Sequence, residues 1–294
     1  MINYEVFEPL VNHLKSIGPF LFRPNSGNGG DAVIALSCME IFDTHGLDWQ
    51  MYTPDRYEKC KSIVYSGGAT FPQYFSLSNF VSSHDDDLKS FTLMPHSFEG
   101  HEQLIANMDD RYHLFAREKT TFDYLENTIK GAHCYLSHDV AFSLDVNAFK
   151  LPATLPLMLP GQPINFDLQW LFKQITLRRF LRKGIKESLY FRTDSESSGN
   201  FNFNKSSVDL SRLIKGKMVT RKQINGIALT FLSVIKRSQK IKTDRLHVGI
   251  CAGLFGIPCD LYPGINFKIN SIHEHSIDDL LSGVRMLSAD EIDY

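Results

Sequence analysis

Strand-like apolar runs alternate with helix-patterned segments in both halves of this 294-residue chain. That order restricts it to an α/β fold with a mostly parallel sheet. In the first half an entry helix is expected from Tyr4 to Leu14, with strands at 19–22, 61–65, 91–94, 112–116 and 134–136. Between the first two strands, an Asn- and Gly-rich loop at 23–30 leads into an apolar helix opened by Asp31, a strand, loop and helix unit. In the second half a basic helical stretch covers 166–187 and a strand 188–191. A polar, turn-rich loop follows at 195–204, then a buried helix at 224–235. Pro152, Pro156, Pro160 and Pro163 crowd the middle of the chain and mark a domain edge. Two α/β domains, 1–155 and 156–294, are therefore expected, with ligand in a cleft between them.

Near the C-terminus, Thr243-Asp244-Arg245-Leu246-His247 precedes a run of small residues and then Gly256-Ile257-Pro258. The order places an arginine and a histidine at a strand end and hands them to a closely packed helix. Ligands of α/β folds collect outside the carboxyl ends of strands, where helix N-termini attract anions. A guanidinium beside an imidazole suits a phosphorylated or carboxylated substrate that also needs a proton moved. Asp244 capping the helix and pairing with Arg245 is the competing structural reading. Arg117 and Arg192 repeat the strand-end position, so Arg117, Arg192 and Arg245 are expected to converge on an anion.

The loop Asn25-Ser26-Gly27-Asn28-Gly29-Gly30-Asp31 lets a ligand approach the backbone, with Asn28 and Gly30 as contacts. A carboxylate at Asp31 disfavours phosphate there. It suits a hydroxyl-bearing ligand or simply caps the helix. Gly67 and Gly68, after the strand expected at 61–65, permit a second close approach.

Together these motifs resemble the polysaccharide pyruvyltransferase family. The resemblance runs from about residue 20 to 275 through Gly27-Asn28-Gly29-Gly30-Asp31, Tyr65-Ser66-Gly67-Gly68, Phe115-Ala116-Arg117-Glu118, Ser137-His138-Asp139, Phe191-Arg192 and the Asp244-Arg245-Leu246-His247 block. It implies two Rossmann-like domains facing across a cleft, as in GT-B glycosyltransferases, with the acceptor on the N-terminal and the donor on the C-terminal side. It also implies transfer of a pyruvyl group from phosphoenolpyruvate to a sugar of a surface polysaccharide or its lipid-linked precursor, as a cyclic ketal. Arg117, Arg245, His247 and Lys268 match family positions around phosphoenolpyruvate. His247 is the candidate acid and Asp31 the candidate base, while Arg192, Asn28, Gly30, Gly67, Gly68 and Ser97 are candidate substrate contacts. Phosphoenolpyruvate is a donor substrate, and neither a cofactor nor a metal is expected. A GT-B glycosyltransferase using a nucleotide sugar, with Arg245 and Lys268 on its diphosphate, is the alternative enzyme. A non-catalytic glycan-binding scaffold is the alternative outside enzymes.

A net charge of −2 gives no reason to expect nucleic acid. The five scattered cysteines suit a reducing compartment. Met1 to Glu5 shows no basic segment leading into an apolar one, so a cytoplasmic protein is expected. The stripe Arg178, Arg179, Arg182, Lys183 and Lys186 reads as a solvated helix face, with peripheral membrane contact as the other use of it. Asp85-Asp86-Asp87 beside His84 reads as a solvated run, and His273 and His275 lack a metal-binding partner motif.

Overall fold

The computed structural model describes residues 4–25, 27–71, 76–152, 186–194, 196–197, 207–287 and 291. Two compact units divide the chain. One comprises Met1–Asn25 with Ile34–Ser143, the other Ser26–Val33 with Leu144–Tyr294. The segment 26–33 thus packs with the C-terminal half, an exchange that a contiguous division at 155 does not contain. Most of the proline-rich stretch, the basic helix and the loop expected at 195–204 lie outside the described residues.

The first unit is built on a seven-stranded sheet. Its strands are β1 (Phe20–Arg23), β2 (Trp49–Met51), β3 (Ser62–Tyr65), β4 (Gly68–Thr70), β5 (Ser90–Phe98), β6 (Tyr112–Ala116) and β7 (His133–Leu136). They run β2-β1-β3-β5-β6-β7, with β4 also on β5, and every pairing is parallel. A parallel sheet covered on both faces demands near-continuous apolar strands. Ile63, Val64, Phe91, Leu93 and Leu114 supply them, all at most 1% exposed.

The sequence suggests that the strand at 91–94 stops before Pro95, yet β5 continues to Phe98. The β5–β6 register shifts between Leu93 and His96. A bulge is where a residue without a backbone N–H fits inside a sheet. The shift carries His96 and Ser97 to the C-terminal edge, where Gly68 pairs with His96.

The second unit carries four parallel strands among the described residues: β8 (Ser188–Tyr190), β9 (Ile241–Thr243), β10 (Cys259–Leu261) and β11 (Val284–Met286), in the order β11-β10-β9-β8. The helix Arg221–Ile235 begins at a Thr220/Gln223 capping box and buries Ile224, Ile227, Phe231 and Ile235. The helix Leu246–Leu254 follows β9 and owes its small residues to close packing. A Cβ on Gly249 would lie 3.1 Å from Leu261, and one on Gly253 2.7 Å from Leu281.

On one face of the first sheet, His13 from the helix Glu8–Ser16 lies 4.3 Å from His113, which stacks on His133 at 4.8 Å. His113 pairs with Thr92 and with His133 across neighbouring strands, and the His13 Nε2 is 2.8 Å from the Thr92 hydroxyl. Burial, then the charges of His113 and His133, lower the His13 pKa to about 4. The unfolded imidazole takes up its proton near 6.5. This group's contribution to stability is therefore complete above pH 6.5 and declines as the pH falls toward 4. Urea melts across that window are expected to show the decline, and His13→Gln to flatten it.

Candidate functional site

The C-terminal edge of the second sheet gathers three of the expected cations. After β8 the chain presents Arg192, Asp194 and Glu196, after β9 Asp244 and Arg245, and beyond β10 Asn266 and Lys268. They form an alternating line of charge. Asp209 accepts from Arg245 Nε at 3.1 Å and Nη2 at 2.6 Å, and Arg245 Nη2 also meets Asp194 at 2.7 Å. Asp194 takes Arg192 Nε at 2.9 Å, and Arg192 Nη1 reaches Glu196 at 2.9 Å. Glu196 in turn accepts from Lys268 Nζ at 3.0 Å and Asn266 Nδ2 at 3.3 Å. Five of the six charged groups are below 10% exposed, Asp194 being the more open one. Charges removed from water to this degree must be paired, so the acids hold the cations in place. Burial raises the Asp194 carboxyl, but Arg192 and Arg245 outweigh it and bring the pKa down to about 2.

Asp244 lies beneath this line, 1% exposed, and accepts the Arg192 backbone N–H at 2.7 Å. It thereby ties the end of β8 to the end of β9. Burial pushes its pKa up to about 6, against the pull of Arg192 and Arg245.

Arg245 and His247 sit one step later than a strand end. β9 stops at Thr243, Arg245 takes the cap position, and His247 lies in the first turn of the helix. The cause is local: the Arg245 N–H donates to the Thr243 hydroxyl at 3.0 Å, which turns the chain into the helix. Arg245 engages Nε and Nη2 with carboxylates.

The Asn- and Gly-rich loop packs on this helix. A Cβ on Gly30 would come 2.7 Å from His247 Nδ1, and one on Gly29 2.4 Å from Phe231. The Asn28 N–H donates to Asp31 at 2.8 Å, while the Gly30 N–H donates to the Asn28 side chain at 2.8 Å. Asn28 is therefore the N-cap, and Asp31, the third residue of the helix, reaches back to its N–H as in a capping box. Asn28, Gly30, Asp31, Arg192, Arg245, His247 and Lys268 all belong to the second unit.

Gly67, Gly68, Ser97 and Arg117 belong to the first unit. Arg117 is 1% exposed, with Nε on Ser97 Oγ at 2.8 Å and Nη1 on Asp139 at 2.7 Å. Those two bonds direct its guanidinium along the sheet edge. A Cβ on Gly67 would strike the Pro95 carbonyl at 2.5 Å, and Gly68, at φ 146°, lies against Asn25 and His96. Gly67 thus serves close approach of main chain, and Gly68 a positive-φ turn against two side chains.

The sequence reading passed over Asp194, Glu196, Asp209 and Asn266. Charge balance was the available signal, because cations gathered at one buried strand edge require nearby acids. Asp85, Asp86 and Asp87 are exposed, in keeping with a solvated run. Asp85 nonetheless binds Arg111 and Tyr112, and Asp87 binds Tyr57 and Lys61. Among the described residues no group of three or more His, Cys, Asp or Glu is arranged to hold a metal, and no helix is long and apolar enough to cross a membrane.

These features define an α/β protein with parallel sheets and a charged site at the carboxyl ends of its strands. Residues 26–259 match the family model for polysaccharide pyruvyl transferase, so the chain belongs to that family and is a transferase. Its fold is shared by a functionally uncharacterized protein from Klebsiella pneumoniae subsp. pneumoniae NTUH-K2044. The crystal structure of that protein is similar at a TM-score of 0.72 and 21% identity, over 98% of this chain and 100% of the other. No curated protein matches the chain.

Two outcomes are expected for the ion line. Asp209→Ala and Arg245→Ala each strand a buried partner and are expected to cost about 3–5 kcal/mol. The double variant is expected to cost clearly less than their sum in denaturant melts. Asp244→Asn keeps an oxygen to accept the Arg192 N–H. Because the native carboxyl titrates near 6, burying its charge opposes folding above that pH. The Asn variant is therefore expected to melt at or above the wild-type temperature at pH 8, with this relative gain shrinking toward pH 4.

Proposed function

We propose that the protein transfers the pyruvyl group of phosphoenolpyruvate to two hydroxyls of a saccharide, part of a surface polysaccharide or its lipid-linked precursor, forming a cyclic ketal. The observation that carries this reading is the line Arg245, Arg192 and Lys268 at a strand edge, beside a helix whose first turn bears His247. Phosphoenolpyruvate sets a carboxylate and a phosphate on a small carbon frame and therefore needs several fixed cations. The Arg245 guanidinium and the helix N-terminus are suited to receive one of those anions.

His247 delivers a proton to the enol methylene, which leaves C2 electrophilic. One sugar hydroxyl attacks C2 and loses its proton to Asp31. The C2–O bond to phosphate breaks, the neighbouring hydroxyl closes the ring at C2 and gives up its proton to the departing phosphate, and the proton held by Asp31 returns through solvent to reset His247. Donor and diol become ketal and phosphate with no change in overall oxidation state, so no redox cofactor enters. Ser97, Gly67 and Gly68 in the first unit are assigned to the acceptor side, in the GT-B-like architecture that the family resemblance implies. Arg117 is assigned to holding that edge through Ser97 and Asp139.

Phosphate release from phosphoenolpyruvate, measured with and without a panel of glycans, tests this reading. Acceptor-dependent release is expected, and stabilisation by a nucleotide sugar but not by phosphoenolpyruvate would overturn it. His247→Ala is expected to slow release by about 10²–10⁴-fold with the fold intact. Gly30→Ala forces a methyl against His247 Nδ1 and is expected to slow it about 10²-fold by displacing the ring. Full activity in both variants would remove His247 from the reaction.

A further inference from the structure

Arg23 closes β1 at the C-terminal edge of the first sheet, in register with Tyr65 of β3. Its guanidinium carbon lies 5.6 Å from the ring centres of both Tyr52 and Phe80. Its Nε is buried and has no hydrogen-bond partner. Among the described residues no carboxylate pairs with it, whereas Arg117, Arg192, Arg245 and Lys268 each meet an acid. A buried N–H donor without an acceptor opposes folding, and two ring faces return only part of that cost. A cation held open at the carboxyl end of a central parallel strand lies where α/β proteins bind ligands.

The surroundings narrow the ligand. Tyr52 also walls a cavity of about 430 Å³ lined further by Tyr57, Ser83, His84 and the carboxylates of Glu58, Asp86 and Asp87. Ring faces, hydroxyls and three carboxylates suit the C–H face and hydroxyls of a sugar. The acids of that cavity repel an oxyanion, which leaves Arg23 as the place for one.

We propose that Arg23 recognises an oxyanion carried by the acceptor saccharide, a uronic-acid carboxylate or a glycosyl phosphate. The protein thereby prefers acidic over neutral acceptors. This assignment rests on the saccharide-acceptor reading above, and Arg23 acts as a specificity residue that takes no part in bond making.

Binding of glucuronic acid, glucose 1-phosphate, glucose and inorganic phosphate is measured by calorimetry on wild-type protein, Arg23→Gln and Arg23→Lys. The wild type is expected to bind at least one acidic sugar more tightly than glucose. Arg23→Gln is expected to lose about tenfold of that affinity and Arg23→Lys to keep part of it. Whichever acidic sugar shows the larger loss identifies the group recognised. Phosphoenolpyruvate titrated into the same proteins is expected to bind equally to all three. Its failure to bind any of them would overturn the donor assignment, while the acidic-sugar comparison still decides the role of Arg23. Melting temperatures separate this role from a structural one, since removing an unpaired charge is expected to leave Arg23→Gln as stable as wild type or more so. Unchanged affinity for acidic sugars in Arg23→Gln, equal binding of inorganic phosphate and the sugars, or a marked loss of stability would each overturn the proposal.

Discussion

Ion pairing at the carboxyl edge of the second sheet is the interaction on which the candidate site depends. Arg192, Arg245 and Lys268 are nearly withdrawn from water, and each would cost several kcal/mol if left alone. Asp209, Asp194 and Glu196 alternate with them, so each charge has an opposite neighbour and most have two. The line joins segments following β8, β9 and β10, which are remote in sequence. Asp244 reinforces it from below through the Arg192 backbone. The positions of the cations are thus set by the protein's own carboxylates, before any ligand is considered. This is the preorganisation that electrostatic catalysis needs.

The first sheet meets the same requirement differently. Arg117 is paired with Asp139 and held by Ser97, and the residues around it are rigid through backbone packing rather than through a network. Gly67 lies against the Pro95 carbonyl, and the bulge in β5 carries His96 to the Thr70 hydroxyl. One edge is organised by charge, the other by close approach of main chain.

Much of this was legible in the sequence, for identifiable reasons. β1, β3, β6 and β7 are apolar runs bounded by turns, and the buried helix after Thr220 has a capping box at its start. The Asp244-Arg245-Leu246-His247 block announced a site because charged residues sit directly before a small-residue helix. β2, β4, β10 and β11 were not legible, since three residues are too few to show a period and, unlike the equally short β8 and β9, none leads into an arginine-bearing strand-end motif. The extension of β5 through Pro95 was hidden because a proline ordinarily ends a strand, and only the register shift accommodates it. Asp194, Glu196 and Asp209 lay in or beside a polar stretch that reads as loop. Their pairing with Arg245 spans 51 and 36 positions for Asp194 and Asp209, a separation that no local pattern records.

The exchange of residues 26–33 into the second unit bears on how the chain is completed during synthesis. Those residues leave the ribosome early, whereas Phe231 and His247, against which Gly29 and Gly30 pack, are made late. Residues 34–143 can assemble their sheet as they emerge, since units generally fold in order of synthesis. The first turn of the helix Gly29–Thr44 must meanwhile wait for a surface that does not yet exist. The residues that abut His247 therefore reach their places only after the chain has been translated through His247, so a chain truncated before that point would carry the loop without the surface on which it packs.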